Sequence, residues 1–185
     1  MEMETERLLL RQWRDEDLAP FVAMGRDPEV MRYFPALLSA EESAEGMARQ
    51  RGWIAERGWG FWAVEEKASG DFIGFVGLAV PRAELPCMPC VEVGWRLQRE
   101  SWGRGYASEA ARRALAFGFD ELALDEIASF TALPNLPSQR LMRRLGMRDS
   151  GQDFDHPALA PGHPLRRHCL YRLSAAEWRA AAPEV

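Results

Sequence analysis

The chain has 185 residues, 47% of them hydrophobic and 10% aromatic, enough to bury one sizeable core, so a single domain spanning 1–185 is the expectation. Its formal charge of -5 is spread without runs of like charge, which argues against nucleic acid as the main ligand. The acidic start MEMETERLLL lacks a signal-peptide pattern, charge interrupts every long apolar stretch, and three cysteines are too few for a disulfide framework; no membrane association and a reducing cytoplasm are expected.

In chain order, Glu6–Trp13 reads as a strand, and Leu18, Phe21, Val22 and Met24 then recur at helical spacing. Pro28 followed by Glu29, Val30, Met31 and Phe34 predicts a short second helix. Ser39 with Glu42 forms the S-x-x-E signature that opens a longer one, ending near Arg57 at Gly58. FWAVEE, a turn at 68–71, FIGFVGLAV, a Pro-rich loop and CVEVGWRL predict three antiparallel strands. A helix follows Gly105, with Ala107, Ala110, Ala111, Ala114, Leu115 and Leu122 on one face. Then come a strand over Glu126–Ala132 and a helix opened by Pro134 and Asn135 and stopped at Gly146. A hairpin from Met147–Phe154 and Arg167–Leu173 and a short helix containing Trp178 complete an α+β domain of about seven strands.

Cys87 and Cys90 have metal-ligand spacing, and His156, His163 and His168 are present. No second Cys pair or close His pair completes a tetrahedral set, so no metal is expected and Pro86 and Pro89 read as setting a turn.

The most informative segment is EVGWRLQRESWGRGYASEA, where a strand passes through Gly103 and Gly105 into an alanine-rich helix. Glycines let successive amides converge, and a helix starting there adds its positive end, so the turn suits a phosphate or pyrophosphate; a tight helix entry is the plainer alternative. A Walker loop is absent, and Ser108 stands where a dinucleotide fingerprint needs a third glycine or alanine, which leaves nicotinamide chemistry a weak competitor.

Glu92, Gly94, Trp95, Leu97 and Trp102–Ala110 resemble the E-x-G-W/Y-x-L…W-G-x-G-Y-A-x-E-A pattern of the GNAT acetyltransferases, RimJ/RimL-like branch. Asn135, Ser138, Leu145, Gly146 and Met147 are similar to that family's N-x-x-S-x-x-x-x-x-x-L-G-F/M segment. The resemblance implies a mixed, mostly antiparallel sheet flanked by helices with a splayed central strand pair. It also implies acetyl-CoA as acyl donor substrate and N-acetylation of a primary amine by direct attack in a ternary complex. The acceptor is a protein N-terminus or a small amine, and a homodimer is left open. Pantetheine would pair with the backbone of Trp95, Arg96 and Leu97. The pyrophosphate would sit on the Trp102, Gly103, Arg104, Gly105, Tyr106, Ala107 and Ser108 turn. Asn135 would bond pantetheine, and Arg144, with Arg143 beside it, would meet the 3'-phosphate.

Acetyl transfer needs a neutral amine and a proton for the departing thiolate, so a base and an acid are sought. Glu92, two residues before Gly94, is the candidate base, against the alternative of a solvated or arginine-paired strand carboxylate. Relatives place a tyrosine donor seven residues after the asparagine, where this chain has Met142; Ser138 is the replacement the resemblance suggests. Asn and Ser at a helix start are equally explained as caps, and Arg143 and Arg144 as solvated helix-end charge. The missing tyrosine motivates a competing reading, a non-catalytic acyl-CoA sensor. The acceptor would be walled by 15–57, with Tyr33, Phe34, Trp53 and Trp59 available, and by the 156–166 loop, although aromatic residues at helical spacing are more often core.

Overall fold

The computed structural model describes residues 2–181, which form nine strands, five α-helices and two short 3-10 turns. They fall into two compact units: one runs to Ala79 and adds Gly94–Ala114, the other joins Val80–Val93 to the chain from Leu115 onward.

In the first unit the strands β1 (Met3–Glu4), β2 (Leu8–Arg11), β3 (Phe61–Glu66) and β4 (Asp71–Ala79) pair in sequence order and antiparallel, with the end of β5 (Glu92–Leu97) next to β4. Leu8 and Leu10 alternate into the core opposite Glu66 and Val64, so period-two patterning fixes the register. Trp13 ties this sheet to α1 (Leu18–Arg26): its indole N–H donates to the Phe61 carbonyl at 2.8 Å, and its ring meets Phe21 edge-on at 4.9 Å. The helix α2 (Ala40–Arg57) starts and stops as its sequence directs. Ser39 Oγ accepts from the Glu42 amide, Glu42 Oε2 accepts from the Ser39 amide, and Gly58 caps the end at φ +81°.

Two expectations here are corrected. Pro28–Phe34 forms turns, not a helix: Asp27 Oδ1 takes the Glu29 amide at 2.8 Å, and Pro35 disfavours helical backbone at Phe34. The strand expected over Glu6–Trp13 is the four-residue β2, preceded by the separate β1.

β4 reaches the end of β5 only because Gly74 has no side chain. A Cβ there would lie 2.2 Å from the Arg96 carbonyl oxygen, and the adjoining Ile73 carbonyl accepts from the Gln98 amide at 2.9 Å.

In the second unit the order is β5, β6 (Glu126–Ala132), β9 (Arg167–Ser174), β7 (Arg148–Asp149), with β8 (Phe154–Asp155) also on β9. β5 meets β6 in parallel at Glu92 and Ala128; every other pairing among these strands is antiparallel. β5 is thus fastened to β4 through its C-terminal end and to β6 through its N-terminal end, the arrangement expected of a strand that leaves one neighbour for another. The predicted hairpin is broken into β7 and β8. Between the Asp149–Tyr171 and Phe154–His168 pairs, five steps on one strand face three on the other, and the surplus loops out. α4 (Leu136–Arg144) and α5 (Ala175–Ala181) complete this unit, and α3 (Tyr106–Asp120) runs through both. Nine strands replace the expected seven because three are two-residue pairings too short to show a period. No helix among the described residues is long and apolar enough to cross a membrane.

Candidate functional site

The glycine turn lies in the first unit, between a 3-10 turn at Arg99–Ser101 and α3. Gly103 (φ +73°) and Gly105 (φ +82°) occupy left-handed backbone that a side chain would strain. The Glu109 amide donates to the Gly105 carbonyl, so the first-turn amides before it, Tyr106 to Ser108, have no carbonyl a turn behind them in α3. With the positive helix end, they form a surface suited to an anion.

The side chains around this turn are committed elsewhere. Arg104 donates to Glu66 at 2.9 Å, the Tyr106 hydroxyl donates to the same carboxylate, and the guanidinium groups of Arg7 and Arg104 each lie 4.7 Å from the Tyr106 ring. Arg7 also pairs with Glu109 and donates to the Arg104 carbonyl at 3.0 Å. Trp102 is 45% exposed and its indole N–H donates to the Leu97 carbonyl at 2.9 Å. What the turn offers a ligand is therefore main chain, held in place by an ionic network that motif spacing did not reveal.

On β5 the side chains diverge in environment. Glu92, in the second unit, is half-buried and has no hydrogen-bond or ionic partner among the described residues; burial pushes its carboxyl up to about 8. Cys90 lies near enough for the Glu92 charge to act on it, and burial, then the Cys87 thiol, then that charge hold the Cys90 thiol above its ordinary range. No third His, Cys, Asp or Glu joins the two cysteines among the described residues. Gly94, in the first unit, packs against Phe61, where a Cβ would come within 3.0 Å of the ring. Arg96, in the same unit, lies 4.1 Å from the centre of Phe34 and 5.2 Å from that of Phe75, with its Nε buried and unbonded. Burial lowers its pKa to about 10. Trp95 is half-buried and Leu97 buried.

In the second unit Asn135 caps α4: its Oδ1 accepts from the Ser138 amide at 3.2 Å and its Nδ2 donates to Thr131 Oγ1 at 2.9 Å. The capping alternative thus accounts for Asn135 Oδ1, while its Nδ2 is tied to Thr131 at the end of β6. Ser138 is half-buried in the first turn, and Met142 is buried within α4, so no hydroxyl occupies that position. Arg143 and Arg144 are exposed in the last turn, with the Arg143 guanidinium 5.6 Å from the Tyr171 ring.

The structure thus gathers Trp95, Arg96, Leu97 and 102–108 in the first unit, and Glu92, Asn135, Ser138 and Arg144 in the second. Of the residues expected to wall the acceptor, Tyr33, Phe34, Trp53 and Trp59 are half-buried in the first unit. In the second, the His156 and His168 rings lie 4.9 Å apart and tilted by 40°, beside Phe130 and Phe154, and burial holds both imidazoles below the usual histidine range. The sequence named the 156–166 loop but not His168 as its neighbour, because that pairing depends on the β8–β9 register.

Comparison with known proteins accords with this geometry. Residues 7–148 match the acetyltransferase (GNAT) domain model. A Bacillus subtilis protein, YkkB, is 35% identical over 150 residues, covering 79% of this chain and 84% of its own; the B. subtilis N-acetyltransferase YnaD is 29% identical, covering 96% and 99%. Among solved structures, a GNAT-family acetyltransferase from Bacillus anthracis superposes with TM-score 0.78 at 24% identity over 95% of this chain and 99% of its own. The spermidine N-acetyltransferase of Vibrio cholerae, in complex with CoA and spermine, superposes with TM-score 0.73 at 20% identity over 95% and 99%. The chain belongs to the GNAT acetyltransferase family and is an acetyl-CoA-dependent acyltransferase.

Proposed function

We propose that this chain, as one acetyltransferase domain of the RimJ/RimL-like kind acting in the cytoplasm, moves the acetyl group of acetyl-CoA onto a primary amine by direct attack in a ternary complex. The observation that carries the reading is Glu92: a half-buried, unpartnered carboxyl on β5 whose environment raises its proton affinity to about 8. A carboxylate with that affinity, within reach of an ammonium, takes its proton near neutral pH, which an ordinary glutamate does poorly.

In this reading the amine nitrogen, freed of a proton by Glu92, attacks the thioester carbonyl. The C–N bond forms, the C–S bond breaks, the attacking nitrogen sheds its remaining extra proton, and that proton reaches the departing CoA thiolate through the Ser138 hydroxyl, which gives one proton and takes one back. The first-turn amides of α3 and those of Gly103–Gly105 hold the pyrophosphate. The Trp95, Arg96 and Leu97 backbone pairs with pantetheine, sharing the Leu97 carbonyl with Trp102; a carbonyl has two lone pairs and can accept twice. Arg144 meets the 3'-phosphate, and Asn135 contributes mainly by holding the start of α4. Holding the amine against the thioester supplies about 7 to 11 kcal/mol of barrier reduction, so positioning outweighs either proton-transfer group.

The test is thiol release from acetyl-CoA against a panel of amines and N-terminal peptides, with Gly105→Glu as the control that places a carboxylate at the anion turn. Amine-dependent release, lost in that variant, is expected. Tight acetyl-CoA binding with no release on any amine would favour the non-catalytic sensor instead.

A further inference from the structure

We infer that Arg96 is a specificity residue: its guanidinium, with the rings of Phe34 and Phe75 close to it, receives a carboxylate carried by the acceptor amine. This rests on the acetyl-transfer reading above and names the class of acceptor, an amine that also bears a carboxylate.

A guanidinium presents five N–H donors and no acceptor, and removing it from water without an anion is unfavourable. Arg96 makes no hydrogen bond or ion pair among the described residues, while its Nε is shielded from solvent. Two aromatic rings lie against it, at 4.1 and 5.2 Å. Aromatic faces are favourable neighbours for a guanidinium, yet they leave its in-plane donors unused, and those donors match a carboxylate in a bidentate fork.

The surrounding backbone is built around this side chain. Gly74 admits the Arg96 carbonyl where a Cβ would clash, and Phe75, next to it on β4, supplies the second ring. Phe34 comes from the turn segment after α1, stabilised by the Phe34 amide donating to the Met31 carbonyl at 2.8 Å. That segment belongs to the stretch expected to wall the acceptor. The anionic groups of acetyl-CoA have other proposed partners, the amides of the glycine turn and Arg144, which leaves the acceptor as the source of the missing anion. A polyamine carries only like charge toward Arg96 and is disfavoured.

The experiment compares ω-amino acids of increasing chain length with their primary amides, pairs that differ in the carboxylate while keeping similar amines, and peptides differing by Glu or Gln at the second position. Turnover is followed by thiol release. Binding is followed by calorimetry in the presence of free CoA, so that recognition is read even without chemistry.

The wild type is expected to favour the acid over the amide at least tenfold in kcat/KM and in affinity, at one chain length for the small molecules or in the Glu peptide, which separates the two sources. Arg96→Gln should reduce that preference to within about twofold, and Arg96→Lys should restore part of it. The inference is overturned if wild type treats acid and amide alike in both readouts, if Arg96→Gln keeps the preference, or if Arg96→Gln weakens acetyl-CoA binding, which would assign the side chain to the donor. A lower melting temperature in Arg96→Met with the acid preference intact would make Arg96 a packing residue and also overturn it. Selective, Arg96-dependent binding of acids with no turnover would sink the acetyl-transfer reading while the carboxylate site stands.

Discussion

Arg11 and Arg96 are both arginines on strands of the first unit, and their surroundings are opposite. The Arg11 side chain is 2% exposed; burial alone would lower its pKa, but two bonds to Asp17 (2.7 and 2.8 Å) and one to Glu65 (2.7 Å) raise it above the ordinary value. Arg96 has aromatic rings instead of carboxylates, and its pKa falls. A buried charge that is fully paired serves the fold, whereas one left unpaired lowers stability and is kept where a ligand completes it.

Breaking the paired member of this comparison should have the largest effect. Asp17→Ala leaves Arg11 buried with half its partners, and a loss of about 3 to 5 kcal/mol is expected in urea unfolding. An unchanged midpoint would show that water reaches Arg11 and that the contrast with Arg96 is one of degree.

The second test concerns Glu92, the unpaired carboxyl that corresponds to Arg96 in the other unit. Removing a general base lowers the rate by about 10² to 10⁴-fold, so Glu92→Gln should reduce kcat/KM by that range with little change in acetyl-CoA affinity. A full-rate variant would leave positioning as the whole mechanism.

The same residue makes a pH prediction. Its folded pKa, about 8, lies above the ordinary glutamate value of 4.5, so across that interval the folded chain binds the extra proton. Its contribution to stability therefore falls as pH rises from about 4.5 to 8, while the wild-type rate climbs toward a plateau above pH 8. Glu92→Gln should raise the melting temperature more at pH 8 than at pH 5, and equal shifts at both would contradict the assigned burial.

The smallest effect is expected at the exposed Arg7–Glu109 pair. Solvent and salt screen such contacts, so Arg7→Ala should barely move the melting temperature. Arg7 also donates to the Arg104 carbonyl within the glycine turn, so a modest weakening of acetyl-CoA binding is the readout to seek.

Where structure is set by neighbours along the chain, expectation and structure agree. Ser39, Glu42 and Gly58 bound α2 as their side chains and backbone freedom require, and Gly103 and Gly105 adopt the positive φ that an anion-suited turn uses. The candidate residues of the turn and of β5 are ones the sequence offers because their motifs are contiguous. Pro28–Phe34 departs from its weak helical spacing because Asp27 and Pro35 override it. β7 and β8 were merged, since a break in pairing leaves no mark on periodicity.

The sequence by itself determined the capped helix α2, the longer strands and the glycine turn, because caps, period and backbone freedom act over a few residues. Only the tertiary structure decided that Arg104 and Tyr106 converge on Glu66, that Arg11 is paired, and that Arg96 and Glu92 are half-buried without a hydrogen-bond partner among the described residues. Those outcomes depend on which distant groups share the local low-dielectric space, and no short window of sequence contains that information.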